Sequence, residues 1–577
     1  MKAKHVKIFL LLTVVEGILA VLFFLSKPSD PESAKLFGFS YLKLGLLGVD
    51  FLFLILLSGI TIAAFLYPAW LDQITNRITP FLTAPVNVSG KRLFVVQGGL
   101  IVAMVAILEA YFLTWFSIPQ TIRPFLLWAA LICFQAWVIL RIGWRTEYKT
   151  RPTLISTLRS IWRKWTPVQR HVFWILSGIG LVYFLAFIPA NLHWVHVDEN
   201  IILPDVVKML LPGGTFKETL QRWIINENWW YGQPYLPISA LALVIPRLIY
   251  GVDFVNQKAI NLLFLRQLVS VLPMIMAISL LVYVVTRFKS MLYSIGMFVF
   301  LLLVPGVVKY CYHFWHPDSL ILLLVVLTIF FLQRDRLKFG KNFYLAAVTC
   351  GLAAAIKLWG FFFFLAVAGY LVAGMSQKVL TFKRAATIGL LFILVMALTI
   401  VLSSPSLFVP WSFQFMVHGL QTQNASNTQG YNEADPEGVY HTGLANWLRY
   451  FQMFYMQKYF FFFAFASLMI GSLAGSQAYL NRLLLAWCLV TAIYLVSFLA
   501  VKSFQYMLPL MVPLYSAGFL FPFITRGREY PRWLSFLGTP LANRIIIGIT
   551  VLMLGSEFIF NLVSVVTSPA IGVISKI

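Results

Sequence analysis

Asp198 and Glu199 stand side by side in the stretch HVDENIILPD, just past a long apolar run. Acid is scarce in this chain: 20 Asp and Glu against 44 Lys and Arg, with only 11% of all residues charged. A carboxylate where a membrane span ends can serve as general base toward an acceptor hydroxyl, or it can ligate a divalent cation. Neighbouring residues on a helix do not share a face. The two carboxylates are therefore expected to do different work, one reacting and one orienting. Two surface acids following a helix would leave the same pattern.

Three other groups of residues could join them. The first is HFWHPD, with His313, His316 and Asp318. Pro317 and Asp318 there also suit the opening turn of a helix. A metal site of His and Asp is compatible with this stretch, but no spacing demands one. Asp198 and Asp318 are the metal candidates. The second is Lys357 in GLAAAIKLWGFFFF, a lone cation in an apolar stretch. A charge at bilayer depth costs ~2.5–3.5 kcal/mol on insertion scales. That cost is understandable if two short helices, 342–356 and 358–375, meet at Lys357 and let it reach an anion. A lysine snorkelling from a helix end is the plainer alternative. The third is VKSFQYMLPLMVPLY, with Lys502 and Tyr506 at a span boundary.

The elements that must position these groups are transmembrane helices. The chain has 577 residues, 60% of them hydrophobic, and its mean hydropathy is +0.84. A soluble chain would carry about 25% charged residues. Apolar blocks recur at 8–26, 43–67, 93–117, 123–143, 172–192, 262–286, 291–309, 318–333, 342–356, 358–375, 385–404, 457–475, 482–500, 505–524 and 545–568. Their length suits crossing a bilayer. The net charge of +24 does not point to nucleic acid, because Lys and Arg gather in short loops as they do on the cytoplasmic side of membrane proteins. The four cysteines show neither zinc-ligand spacing nor a disulfide framework. The first apolar run follows Lys2, Lys4 and Lys7 and reads as a retained anchor rather than a cleaved signal.

The basic loop 144–171, with Arg145, Lys149, Arg151, Arg159, Arg163, Lys164 and Arg170, sets the orientation. It is expected in the cytoplasm, which sends Asp198 and Glu199 to the opposite side. The segment 234–250 is expected to be interfacial or re-entrant. Counting it as a span would turn TRFKS, RDRLKFGK, QKVLTFKR and TRGREYPRW outward. The loops 193–261 and 405–456 then become large outer loops, rich in Trp, Tyr, Asn and Gln. Loops of that length in a compact protein are usually functional.

In chain order, an outer DE after a span, QPYLP, a PD opening a later span, AAIKLWG, SPSLFVPWSFQF and FQYMLPLMVPLY resemble the GT-C glycosyltransferases. The resemblance is to the branch of protein O-mannosyltransferases and lipid A aminoarabinose transferases, and it covers roughly residues 172–525. It implies a sugar donor carried on a polyprenyl phosphate and an active site at the outer or luminal face. By that resemblance Asp198 is the acidic residue of the first outer loop and candidate base. Lys357 contacts the lipid phosphate, and Asp318 is the second acidic position. The chain departs from the family at Gln233, where a Lys or His often precedes the first proline.

The expectation is an all-α polytopic membrane protein with a GT-C-like transmembrane core and large outer loops carrying interfacial helices. Residues 1–143 form an N-terminal four-helix extension, 144–171 a basic cytoplasmic linker and 172–577 the catalytic core. Its function is expected to be inverting sugar transfer to a glycan, lipid or protein acceptor. Asp198 and Glu199 are the catalytic candidates. Lys357 and Lys502 bind the donor phosphate, and Gln233, His316, Asp318, His418 and Tyr506 line the pocket. A divalent cation is a possible cofactor and membrane lipids are partners. The membrane would be the plasma membrane of a prokaryote or the endoplasmic reticulum of a eukaryote. A flippase or transporter of lipid-linked saccharide, or a non-catalytic assembly subunit, would share many of these features. Alternating-access transporters often show related halves, and none is visible here.

Overall fold

The computed structural model describes parts of 10–20, residues 41–66, parts of 96–107 and 126–137, and most of 162–567. Within the last range, 193–196, 212–217, 219–220, 224–230, 430–440 and 527–531 lie outside the description. The described residues are mostly helical, and there is no strand among them. Of the four N-terminal spans expected, 43–67 is seen as α1 (Tyr41–Leu66). The spans 8–26, 93–117 and 123–143, and the loop residues 144–161, lie largely or wholly outside the described residues.

The chain divides into two compact units. One comprises Met1–Leu158, Leu211–Ile225 and Phe408–Pro410. The other comprises Arg159–Leu210, Asn226–Leu407 and Trp411–Ile577. In the first, α1 is joined to the preceding helical segment by a 2.9 Å hydrogen bond between the hydroxyls of Thr13 and Thr61.

The second unit contains α2 (Pro167–Ala186), α3 (Val197–Met209), α4 (Tyr235–Ala242), α5 (Val244–Tyr250), α6 (Lys258–Leu265) and α7 (Leu272–Thr286). It continues with α8 (Met291–Leu302), α9 (Pro305–His313), α10 (Asp318–Asp335), α11 (Lys341–Ile356) and α12 (Phe363–Ser376). It ends with α13 (Phe382–Ser403), α14 (Pro410–Gln429), α15 (Leu444–Phe454), α16 (Lys458–Leu473), α17 (Ala478–Phe498), α18 (Phe504–Leu520) and α19 (Pro540–Val566). Seven helical stretches among the described residues are long and apolar enough to cross a membrane, or nine if two bent pairs each count as one span. The protein is a multi-pass membrane protein.

Local sequence sets the helix ends. Thr166 and Gln169 form a capping box around Pro167 at the start of α2, which satisfies two amides left open by the first turn. Thr539 caps α19 through the Ala542 amide at 3.2 Å. Burial then ranks the helices. The most apolar windows of α2, α13 and α19 are 22% buried, whereas that of the α18 stretch is 89% buried. The first three form the lipid-facing rim and α18 the axis of the core. Pro513 in α18 cannot donate to the Pro509 carbonyl, and the Trp487 indole fills that place at 2.7 Å.

Pro273 has the same effect between α6 and α7. The Val269 carbonyl, four residues earlier, accepts instead from the Ser319 hydroxyl at 3.1 Å. The backbone there widens into a π-helical turn over Arg266–Val271, a form common at functional sites. Helix and turn together make one rod from Lys258 to Thr286.

The segment expected to be interfacial or re-entrant forms α4, α5 and a short helical turn to Asn256, and by length and composition it could span a bilayer. Its contacts give it less reach. Near its start Ser239 meets Trp315, whose neighbour His316 bonds to Ser270. At its end the Phe254 carbonyl accepts from Asn261 at 2.7 Å. From Ser270 to Asn261 the rod rises about 14 Å at 1.5 Å per residue. That is half of the ~30 Å hydrocarbon thickness.

Candidate functional site

The site is built where α3, the HFWHPD turn, the end of α11 and the start of α18 converge. Asp198 and Glu199 occupy the first turn of α3. Their side chains diverge. Glu199 is fully buried, and its Oε1 and Oε2 accept from Nε and Nη2 of Arg266 at 2.8 and 2.5 Å. Arg266 is fully buried too and uses Nη1 to reach the Asn191 carbonyl at 2.9 Å. Glu199 also accepts the Trp315 amide at 2.8 Å. This carboxylate is thus a tie between α3, the π turn and the HFWHPD segment. Contrary to the catalytic role expected of Glu199, its oxygens are turned into the protein, toward Arg266. Asp198 remains half-buried.

HFWHPD connects α9 to α10 and is held from several sides. Besides the Glu199 bond, the Trp315 indole donates to Ser239 on α4 at 3.0 Å. The His316 amide donates to Ser270 at 3.2 Å, and the Tyr310 hydroxyl donates to the His316 carbonyl while accepting the Ser319 amide at 3.1 Å. Pro317 then starts α10 with Asp318 as its first residue. These restraints fix the Asp318 carboxylate, which is fully buried. Its Oδ1 accepts from Lys357 Nζ at 2.9 Å, and Nδ1 of His316 lies against its Oδ2. Burial holds the His316 imidazole below its ordinary value, although the carboxylate beside it acts in the other direction.

Lys357 stands at the junction of α11 and a short helical turn, Leu358–Phe362, that leads into α12. Its backbone is extended (φ −161°, ψ 145°), so the side chain leaves the α11 axis toward Asp318. The ammonium lies 4.5 Å from the centre of the Tyr506 ring. Its side chain is 15% exposed, against 0% for Asp318. The carboxylate thus backs the ammonium, and the ammonium faces the open side.

That open side is a cavity of about 300 Å³. Lys357, Gln233, Tyr506, Ser404 and Asn427 give it a polar part, and Phe361, Phe362, Ile400, Leu407, Met416, Leu420 and Leu499 line the rest. Gln233 is placed by its neighbour. The Gly232 amide donates to the Ile356 carbonyl at 2.9 Å, and a Cβ at Gly232 would stand 1.6 Å from the Ala355 oxygen. Only glycine permits this approach. Gln233 Oε1 then accepts the Ser406 amide at 2.9 Å and the Ser406 hydroxyl.

Tyr231 completes the group. It is buried, with its ring 4.7 Å from that of His316 and 5.5 Å from that of Tyr235. Burial raises its hydroxyl pKa, and the charges of Asp198 and Asp318 add to the rise. Asp198 acts on His316 as well. It therefore adjoins the cluster from the Tyr231 and His316 side, although it does not line the cavity.

Five of the expected residues thus come together: Lys357, Asp318, His316, Gln233 and Tyr506. Of these, His316 and Asp318 stand behind Lys357 and do not themselves line the cavity, contrary to expectation. One expected pocket residue, His418, and one expected phosphate ligand, Lys502, do not join the group. His418 is exposed on α14, whose Met416, Leu420 and Asn427 face the cavity. Two residues from Met416 is about 200° around a helix, so His418 points away. Lys502 does not line the cavity either. Its Nζ donates to the Ala500 carbonyl at 3.0 Å and lies over the rings of Tyr450 and Trp447 at 5.3 and 5.9 Å.

Among the described residues no three His, Cys, Asp or Glu side chains converge as a metal site. The donor set near Asp318 also fits a divalent cation poorly, since Lys357 occupies one carboxylate oxygen and His316 faces the other. Arg266 and Tyr231 went unrecognised in the sequence. An arginine inside an apolar span was a usable signal for the first, and the second lay among the aromatics of the outer loop 193–261, none of which was singled out. Comparison of the chain with protein-family models, with curated proteins and with solved structures finds no match.

Proposed function

We propose that the protein is an integral-membrane glycosyltransferase that takes a sugar from a polyprenyl-phosphate donor. The observation that carries this reading is Lys357, a cation seated at the wall of an otherwise largely apolar cavity with a buried carboxylate fixed behind it. A lipid phosphate needs an apolar channel for its chain and a preorganised cation for its head. Asp318 holds the ammonium in one place, so little reorganisation is needed as charge grows on the leaving phosphate.

In the proposed step an acceptor hydroxyl attacks the anomeric carbon. The bond from that carbon to the phosphate oxygen breaks, the electron pair leaves with the polyprenyl phosphate, and the configuration inverts. The hydroxyl proton passes to Asp198 as general base. The Asp198 charge acts on both Tyr231 and His316, and in this reading those two residues stand between the base and the Lys357–Asp318 pair. Gln233, tied to Ser406, contributes a polar wall where the enzymes that the sequence resembles often carry a cation.

The test uses purified protein and a photoreactive polyprenyl-phosphate analogue, with transfer from a radiolabelled sugar donor followed separately. Lys357→Gln should weaken capture of the analogue by on the order of 2–5 kcal/mol, the scale of a desolvated charge contact. Asp198→Asn should leave capture intact and slow transfer about 10²-fold or more. Undiminished capture by a folded Lys357→Gln protein would remove the phosphate from this cavity.

A further inference from the structure

α19 turns two polar side chains inward. Glu557 and Asn561 lie one turn apart on it, and both are fully buried. Glu199 has Arg266 for a partner. Glu557 has no Lys, Arg or His within ion-pair reach among the described residues. Its Oε2 accepts the Gln457 amide at 3.3 Å. Its Oε1 lies 3.1 Å from the Tyr515 hydroxyl of α18, and that hydroxyl lies 2.7 Å from the Tyr455 carbonyl. Tyr455 and Gln457 belong to the break between α15 and α16, where the chain turns through 104°.

The hydrogens can be counted along this chain of oxygens. Tyr515 has one hydroxyl hydrogen and two oxygen neighbours. Given to the Tyr455 carbonyl, the shorter contact, it leaves two oxygens facing each other between Tyr515 and Glu557. Given to Glu557, it leaves the 2.7 Å contact without a hydrogen, which is worse. A second hydrogen is needed either way, and of these three groups only the carboxyl can carry it. The Asn561 amide stands by the same hydroxyl and makes no hydrogen bond to the carboxyl. Burial argues the same way, because a carboxylate taken out of water without a cation ordinarily takes up a proton instead.

The charged and titratable groups on the packed elements supply no other answer. Tyr455 turns its own hydroxyl to the Phe504 carbonyl at 2.6 Å. On α16, Lys458 is exposed and Tyr459 bonds to Ser556 at 3.3 Å. Lys309 of α9 lies over the rings of Phe454 and Phe504. The turns Phe521–Arg526 and Arg532–Gly538 pack at the other end of α19, around Ile546 and Asn543. Asn543 is about 21 Å along the helix from Glu557.

We propose that Glu557 is a proton-binding site: a neutral carboxylic acid that donates to Tyr515, which donates to Tyr455, so that one proton holds the bend between α15 and α16. The bend matters to the cavity. The Trp447 indole of α15 donates to the Leu499 carbonyl at 3.0 Å, and the Gly443 amide before α15 donates to the Val496 carbonyl at 2.8 Å. Leu499 is part of the cavity wall. Loss of the proton in alkaline solution leaves a bare charge at the bend and frees α15 from α18 and α19. This holds whatever the cavity binds.

The experiment is infrared spectroscopy of the purified full chain in detergent, titrated with alkali, beside hydrogen exchange of the segment 444–457. At neutral pH the wild type should show the carbonyl-stretch band of a protonated carboxyl that Glu557→Gln lacks, and alkali should remove it. At the pH where the band is lost, 444–457 should exchange about tenfold or more faster in the wild type than in Glu557→Gln, the scale of one lost buried hydrogen bond. The glutamine stays neutral and keeps a donor toward Tyr515. Tyr515→Phe keeps the test open if Glu557→Gln fails to fold: it removes the acceptor, so the band should move to higher frequency without disappearing. A wild-type spectrum identical to that of Glu557→Gln overturns the proposal, as does an unmoved band in Tyr515→Phe. Equal alkaline exchange in wild type and Glu557→Gln also overturns it. So does a band that sodium or potassium chloride removes at neutral pH, since the site would then take a metal cation rather than a proton.

Discussion

Replacing Glu199 by Gln tests whether the second of the two adjacent carboxylates is a structural tie. The change keeps the shape and removes the charge. In the folded protein it leaves Arg266 fully buried with its Nε and Nη2, now at 2.8 and 2.5 Å from carboxylate oxygens, facing a neutral amide. Charge centres about 4 Å apart attract by about 4 kcal/mol at an effective dielectric constant of 20. Breaking one side of a buried ion pair costs about 3–5 kcal/mol in practice. A domain of ordinary stability has only about 5–15 kcal/mol to lose, so the effect is large. The assay is unfolding of the purified protein in mixed micelles, followed by tryptophan fluorescence. Glu199→Gln should lose about 3–5 kcal/mol. The double variant Glu199→Leu, Arg266→Met should recover most of the loss, because it leaves no buried charge unpaired. A single variant within about 1 kcal/mol of wild type would refute the reasoning, and so would a double variant as unstable as the single one.

Gly232→Ala should force the Gly232–Ile356 backbone bond apart, since its methyl would stand 1.6 Å from the Ala355 oxygen. A loss of about 1–3 kcal/mol in the same unfolding assay is expected, and an unchanged transition would mean that the two backbones do not meet. His316 sets a pH dependence. Its folded pKa lies below the ordinary histidine value of about 6.5 because burial disfavours the imidazolium, so the unfolded chain binds the proton more readily. Its contribution is present above about pH 6.5 and is lost as pH falls toward the folded pKa. The melting temperature of wild type should therefore drop below that pH more steeply than that of His316→Gln; equal slopes would take His316 out of the titration.

Much of the helical framework is legible because its cause is local. A block of apolar residues marks 505–524 and 457–475, and the helices run over Phe504–Leu520 and Lys458–Leu473. The errors fall where polar residues are helical for other reasons. α2 begins at Pro167 rather than at 172, because PVQRH is started by a capping box and not by apolar content. The rod of α6 and α7 begins at Lys258 rather than 262, and Asn261 in the added turn finds a partner on the Phe254 carbonyl. That partner is not visible in a hydropathy pattern.

The site divides along the same line. Lys357 announces itself because a lone cation in an apolar stretch is costly wherever it lies. Its partner Asp318 is 39 residues away and Glu199 reaches Arg266 across 67, separations that no local spacing encodes. Asp198 and Glu199 show the limit most directly. About 100° of helix separates their side chains, enough to put one in the protein interior and leave the other half-open. Which is which depends on where the arginine stands, and that is set by the π turn before Pro273. Helix phase decides His418 in the same way. Met416 and Leu420 are a turn apart on the cavity face, and a residue midway between them must face elsewhere, whatever its chemistry could offer.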